Sequence, residues 1–457
     1  MNLLVKDKCF YKKMAVIAIP ISLQSMITIG VNMTDTVMVG KLGETSLSAT
    51  ALANQFVNIY QICCMGIAMG ASVLTSRFWG MQDITSLKKT ITLMLRLCIV
   101  LAVLFMLPTI LIPQLLMRMY TNDSAVIAQG VQYFKWMVYC YFLQGMTMTC
   151  TIVLRSVGQV NFPLFTSIGS FFVNILFNYM FIFGKLGVPR MEVEGAGVGT
   201  LIARVFEFSL ICGYFLFVDR KIGYRLKDLR MKCNSLIKDY VSISIPVFVS
   251  DSLLALGTSA VAMVMGRIGT GFVSANSITV VTQQLTTVII QGICHASCIM
   301  TGHTLGQGER EKAQQQAWTF LILGLVVGIL GGGLIKVLSR SIIGLYNITP
   351  ETAQIAGELM DAIAFIVIFQ SMNSILTKGV LRGGGDTKFL MVADIIFLWA
   401  ASLPLGILAG LVWHLDAFWI YVFLKIDQIC KSIWCVFRLR SGKWIKTFSK
   451  EKMNHAQ

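Results

Sequence analysis

Asp35 is the residue whose type and setting most plainly call for chemistry. It lies near the far end of an apolar helical run, Pro20 to Gly43, reading PISLQSMITIGVNMTDTVMVGKLG. No lysine or arginine stands within helical reach on the preceding turns. An ionised aspartate at the centre of a membrane helix costs roughly 2.5–3.5 kcal/mol on insertion scales. A group that costly faces a water-filled cavity or carries a proton, and both point to transport. The plain alternative is a hydrated aspartate that ends the helix at the interface. Asn174 and Asn178 stand four apart on a later helix, hence on one face. Thr200 opens the helix after that. Interhelical hydrogen bonding is the structural reading of these three groups.

Other polar groups fall on helical stripes. Asn54, Asn58 and Gln61 share one, and Gln284 and Gln291 share another. Gln24, Asn58, Gln284 and Asp251 are the substrate-cavity candidates. Asp251, Asp394 and Asp427 are candidates to line a cavity in the second half, Asp251 first. Arg204 and Glu207, three apart, read as a structural pair. Arg96 and Lys336 lie near helix ends and can snorkel. The 25 methionines and 28 phenylalanines suit a pliable pocket as well as ordinary packing.

Cys294, His295, Cys298 and His303 have loosely metal-like spacing. The twelve cysteines lie mostly inside apolar segments, where a small apolar cysteine is the usual case. Neither a metal nor a cofactor is expected. The sequence carries no Walker loop, dinucleotide fingerprint or zinc-protease motif, so it does not read as an enzyme. The glycine run 383–385 reads as a turn. Without a nucleotide site, transport runs on an ion gradient or is passive.

The elements that hold these groups follow from composition. The 457 residues are 56% hydrophobic and only 13% charged, with a mean hydropathy of +0.73. Soluble domains are about 25% charged. This is an all-α polytopic membrane protein. About 20 apolar residues cross the hydrocarbon as a helix. Twelve such runs occur, near 14–38, 52–76, 91–113, 132–153, 163–184, 196–217, 240–264, 277–301, 315–338, 359–380, 389–411 and 417–437. The first lacks a secretory cleavage pattern and is expected to be retained.

Basic residues set orientation. Arg77, Lys88 and Lys89 occupy one loop. Arg220, Lys221, Arg225, Lys227, Arg230, Lys232 and Lys238 crowd the central one, and Arg438, Arg440, Lys443, Lys446, Lys450 and Lys452 crowd the tail. The alternate loops hold only scattered charges. A multi-pass protein of the cell (inner or plasma) membrane with both termini cytoplasmic is expected. The net charge of +16 is a topology signal and not a nucleic-acid footprint. The polybasic segments also offer contacts to anionic lipid.

The chain repeats itself. A shift of 226 pairs Pro20 with Pro246, MVGKLG (38–43) with VMGRIG (264–269), Asn58 with Gln284, Gly80 with Gly306, Tyr120 with Tyr346 and Gln144 with Gln370. A shift of 227 pairs VLRSVGQ (153–159) with VLRGGGD (380–386). Each half holds six helices, which makes a parallel repeat of two lobes. The expected organisation is an N-terminal lobe 1–217, a linker 218–239, a C-terminal lobe 240–440 and a basic tail 441–457. Pro20 and Pro246 each bend a first helix. Hinge and static bend are equally open. The repeat also exposes an asymmetry: Asp35 falls opposite Val261, and Asn174 and Asn178 fall opposite apolar residues or proline.

With these features in place, the chain resembles the multidrug and toxic compound extrusion (MATE) transporters over about 14–440. The resemblance rests on length, the two six-helix halves, the proline-led first helix running into DTVMVGKLG, and the VLRSVGQ and VLRGGGD turns. It implies a V-shaped antiporter that exports cationic or amphipathic organic compounds against H⁺ or Na⁺ by alternating access. In prokaryotic members the first-helix aspartate is the coupling residue, and Asp35 matches it. Asn174 with Asn178 matches the helix-5 pattern of Asn followed four residues on by Asp or Asn, and Thr200 matches the helix-6 threonine. Members with Asp at the second position bind a cation there. Asn178 removes that charge, which favours H⁺ over Na⁺. The acidic residues that some members carry in helices 7 and 10 are met here only by Asp251, out of register, and by Gln370 and Ser371.

The implied partners are small organic cations or amphipathic drugs and the lipid bilayer, with no nucleic acid and a monomeric state. The first rival is a lipid-linked oligosaccharide flippase of the same superfamily. That function needs a cationic groove, and the apolar helices offer few internal arginines. A membrane-embedded enzyme or receptor would need a catalytic constellation or a large exterior domain.

Overall fold

The computed structural model describes residues 4–344 and 348–447. Tyr346 and the tail residues Lys450 and Lys452 lie outside the described residues. Every regular element among them is helical. Helices α1 (Lys8–Gly40), α2 (Glu44–Gly80), α3 (Ile84–Leu111), α4 (Ser124–Ser156), α5 (Asn161–Phe183) and α6 (Glu192–Val218) make the first half. Helices α7 (Asn234–Ile268), α8 (Thr270–Gly306), α9 (Arg310–Ile343), α10 (Pro350–Leu381) and α11 (Thr387–Val412) follow. Among the described residues, eleven helices are long and apolar enough to cross a membrane. The expected twelfth span is broken at Lys425 into α12 (Ala417–Leu424) and α13 (Ile426–Arg440). Lys425 itself leaves the helical region, with φ −121° and ψ 16°. Large apolar side chains such as Ile19, Val37, Leu104, Phe172 and Val337 are exposed along these helices. A bilayer accepts such a surface, because helices satisfy their own backbone groups.

The repeat is visible in backbone detail. Gly158 and Gly385, one in each VLR motif, take left-handed φ values of +79° and +85°. In both turns the glycine N–H returns to the arginine carbonyl at 2.9 Å, Gly158 to Arg155 and Gly385 to Arg382. Only glycine reaches that region without a Cβ penalty.

The chain forms two compact units. One holds the chain up to Ser22, then Ser76–Met81 and everything from Ile245 on; the other holds Leu23–Thr75 and Gln82–Ser244. The cuts fall inside α1, two residues after Pro20, and inside α7, just before Pro246. Both prolines are buried within unbroken helices. The second unit has a core built on Tyr60, Phe134, Tyr141 and small residues such as Ala53. The rings of Tyr60 and Tyr141 meet edge to face at 5.0 Å, and Tyr60 donates to the Tyr141 carbonyl at 2.5 Å.

Several charges expected at loose positions are anchored. The Arg96 guanidinium donates to the carbonyls of Leu229 at 2.6 Å and Met231 at 3.1 Å. Lys336 pairs with Asp361 at 2.5 Å. Arg77 is buried at the end of α2 and donates to the Lys446 carbonyl. The segment between α6 and α7 is shorter than 218–239, because α7 begins at Asn234. It is tied to α3 through Lys88, which pairs with Asp228 at 2.9 Å and donates to the Gly223 carbonyl at 2.6 Å.

Candidate functional site

Asp35 lies half-buried in the last turns of α1. Asn178 Nδ2 donates to Asp35 Oδ1 at 2.7 Å and approaches Asn174 Oδ1 at 3.3 Å. Their four-residue spacing puts both asparagines on the buried face of α5, as the helical period requires. Asn178 Oδ1 has no partner among the described residues. No lysine or arginine forms an ion pair with Asp35 among them. The position of Asn178 depends on Gly199 of α6. A Cβ added there would collide with Asn178 Oδ1 and lie 2.9 Å from its backbone N. Small residues allow such close helix contact in membranes.

Asp35, Asn174 and Thr200 open on one cavity of about 590 Å³. It is enclosed by α1, α2, α4, α5 and α6, and every residue that lines it belongs to the second compact unit. The α2 stripe of Asn54, Asn58 and Gln61 faces it, as do Gln24, Tyr133 and Gln144. Tyr133 donates to Asn54 Oδ1 at 3.2 Å. Met65, Met137 and Met148 supply adaptable apolar wall. A polar lining of this kind admits water, which lowers the cost of a charge at Asp35.

Four ionisable side chains of clear charge line the cavity: Asp35, Glu207, Arg155 and Arg204. Arg204 Nη1 and Glu207 Oε2 pair at 2.8 Å. The pair read from sequence as structural thus belongs to the cavity wall. Arg155 was legible only as part of a turn motif. Its guanidinium reaches Gln24 Oε1.

The second-half candidates do not join this site. Asp251 pairs with Arg382 at 3.1 Å. Asp394 and Asp427 each contact Lys431 Nζ at 3.0 Å. These three carboxylates are ion-paired inside the second half and do not line the 590 Å³ cavity. Gln284 is exposed; its neighbour Gln283 turns inward and donates to Gln370 Oε1 at 2.7 Å. Gln291 is exposed as well. Cys294 donates to the Ser374 carbonyl, and no metal-binding group of three His, Cys, Asp or Glu occurs among the described residues.

Two repeated halves of apolar helices, with a polar cavity inside the first, define a multi-pass membrane transporter. The chain belongs to the MatE family, whose model matches residues 20–180 and 246–429. It is 24% identical over 419 residues to the uncharacterized transporter YisQ of Bacillus subtilis, covering 90% of each chain. It is 23% identical over 441 residues to the probable multidrug resistance protein NorM of Thermotoga maritima, covering 95% of this chain and 93% of that one. The crystal structure of the Vibrio cholerae MATE transporter VcmN in its bent form shares the fold. Its TM-score is 0.86 at 16% identity, over 96% of this chain and 99% of that one. Members of this family are transporters rather than enzymes.

Proposed function

We propose that this protein is a secondary active exporter of cationic or amphipathic organic compounds, with Asp35 carrying the coupling proton. One observation carries the reading. Asp35 faces a 590 Å³ polar cavity with a neutral amide at 2.7 Å and, among the described residues, no cation paired to it. A carboxylate so placed can hold a proton or an organic cation in turn, and the competition couples the two movements. Relatives named as probable multidrug resistance proteins support the substrate class. Asn174, Asn178 and Thr200 serve as the frame of the ion site, with one carboxylate where Na⁺ binding favours more. H⁺ is therefore the preferred ion and Na⁺ the alternative.

The cavity charges Asp35, Glu207, Arg155 and Arg204 sum to zero, which does not make the cationic groove that a pyrophosphate-linked glycan needs. Pro20 and Pro246 are proposed as hinges, the protein as a monomer in the cell membrane, and both termini as cytoplasmic. Exchange of one proton for one monovalent cation cancels the membrane potential and leaves about 1.4 kcal/mol per pH unit as drive. A second proton would add roughly 2.3 kcal/mol per 100 mV.

The test is dye movement in proteoliposomes. Rhodamine B ethyl ester, a monovalent cation, is followed under an imposed pH gradient and then an imposed Na⁺ gradient, for wild type and Asp35→Asn. Movement driven by pH alone and lost in the variant is expected. Full gradient-driven movement by Asp35→Asn overturns the assignment of Asp35.

A further inference from the structure

The repeat reveals a second functional group in the same cavity. In the first half, Arg155 Nη2 donates to Gln24 Oε1, and Gln24 Nε2 donates to Ser167 Oγ at 2.7 Å. The second half builds the same arrangement at the repeat positions. Arg382, 227 residues beyond Arg155, donates to Asp251 Oδ1 at 3.1 Å. Asp394, 227 residues beyond Ser167, accepts from Ser250 Oγ. Gln24 therefore stands where the adjacent pair Ser250 and Asp251 stand in the other half.

The geometry repeats and the charges do not. Arg382 faces a carboxylate. Arg155 faces a neutral amide, and its Nε has no hydrogen-bond partner among the described residues. No carboxylate pairs with it there. It also lines the 590 Å³ cavity, which Arg382 does not. Arg204, the other cavity arginine, already has Glu207. A guanidinium away from bulk water and without a counter-ion favours the arrival of one, and its planar fork matches a carboxylate in two parallel hydrogen bonds. Gln24 and Asp35 are separated by three turns of α1, about 16 Å of helical rise. The cavity thus carries an unpaired cation near Gln24 and an unpaired carboxylate three turns away.

We infer that Arg155 is a carboxylate-binding subsite of this cavity, so that the compounds moved include zwitterions as well as cations. The carboxylate of the solute docks on Arg155, and its cationic part extends towards Asp35. This rests on the exporter reading above and adds the substrate class to it.

The test compares two dyes with one chromophore. Rhodamine B is a zwitterion with a free carboxylate; its ethyl ester is a cation. Binding is read by fluorescence anisotropy on the full-length protein in detergent, with empty micelles as reference. Three proteins are compared: wild type, Arg155→Gln, and Gln24→Glu, which gives Arg155 an internal counter-ion as Asp251 gives one to Arg382. Wild type is expected to bind both dyes. Each variant is expected to weaken binding of the zwitterion relative to the ester by roughly ten- to a hundredfold, the scale of a charge-assisted hydrogen-bond pair. Retained ester binding also shows that the variants are folded. Equal weakening of both dyes, loss of neither, or wild-type binding of the ester alone overturns the inference and leaves the exporter reading standing. Binding of neither dye by wild type removes both.

Discussion

Asn178 donates its amide to the Asp35 carboxylate at 2.7 Å, so a helix-5 residue holds the one carboxylate of helix α1 in place. The partner is neutral, and the negative charge at this point of the cavity is Asp35's alone. Asn178→Asp would place a second carboxylate within hydrogen-bond reach. Two such groups share a proton or gather a metal cation, since like charges that close do not both stay bare. Sodium is expected to gain at least a tenfold effect on dye binding in this variant, while wild type stays indifferent to Na⁺ at constant ionic strength. A titration of dye binding against NaCl, with choline chloride making up the balance, reads the difference.

Gly199 sets how closely α6 approaches that asparagine. Gly199→Ala forces a methyl group against Asn178, and overpacking of this kind costs about 1–3 kcal/mol. Gly213, on the same helix, has open space where its Cβ would go. Thermal unfolding in detergent should drop for Gly199→Ala and stay level for Gly213→Ala, with dye movement impaired only in the first. Matching behaviour of the two variants would remove Gly199 from the account.

Pro20 leaves the Val16 carbonyl without its usual helical donor. Pro20→Ala restores that donor and stiffens α1 near the boundary of the compact units. Dye affinity is expected to stay within about twofold, because Pro20 is absent from the cavity wall. Turnover in proteoliposomes is expected to fall several-fold. Unchanged turnover would make the bend static.

The segment between α6 and α7 has its own pH dependence. Burial pushes the Asp228 carboxyl up, but the hydrogen bond and charge of Lys88, with the Arg225 N–H, outweigh it and hold the group below the ordinary carboxylate range. A depressed folded value stabilises the fold above the unfolded value, about pH 4, and that contribution is lost as pH falls through the folded one. The pair is partly exposed, so the effect is local and small. Asp228→Asn removes the contribution at neutral pH. Trypsin should then cut at Arg225, Lys227 or Arg230 a few-fold faster than in wild type, and equal rates would show that the pair does not order the segment.

What the sequence made legible depended on period and repeat. Asp35, Asn174 and Asn58 stood out because polar groups in apolar helices are costly and because the second half lacks the carboxylate. The structure places them around one cavity. Gln284 is exposed, while Gln283, one step or about 100° around the helix, turns inward to Gln370. Asp251 looked free because its partner Arg382 is 131 residues away in sequence. Arg155 stayed hidden for the converse reason. Its motif announces a turn through Gly158, and the absence of a counter-ion shows only when Gln24 is seen beside it. The break at Lys425 falls where the apolar Ala417–Leu424 gives way to Lys425, Asp427, Gln428 and Lys431, a polar change inside a stretch that reads as one span by length.

The central claim is that a cation and a proton compete for Asp35. Calorimetric titration of rhodamine B ethyl ester into the purified protein, repeated in two buffers of different ionisation enthalpy at one pH, counts the protons released. Near the pH where Asp35 is protonated in the resting protein, about one proton per bound dye is expected for wild type and none for Asp35→Asn. Dye binding without proton release in wild type, or the same release in the variant, would contradict the account.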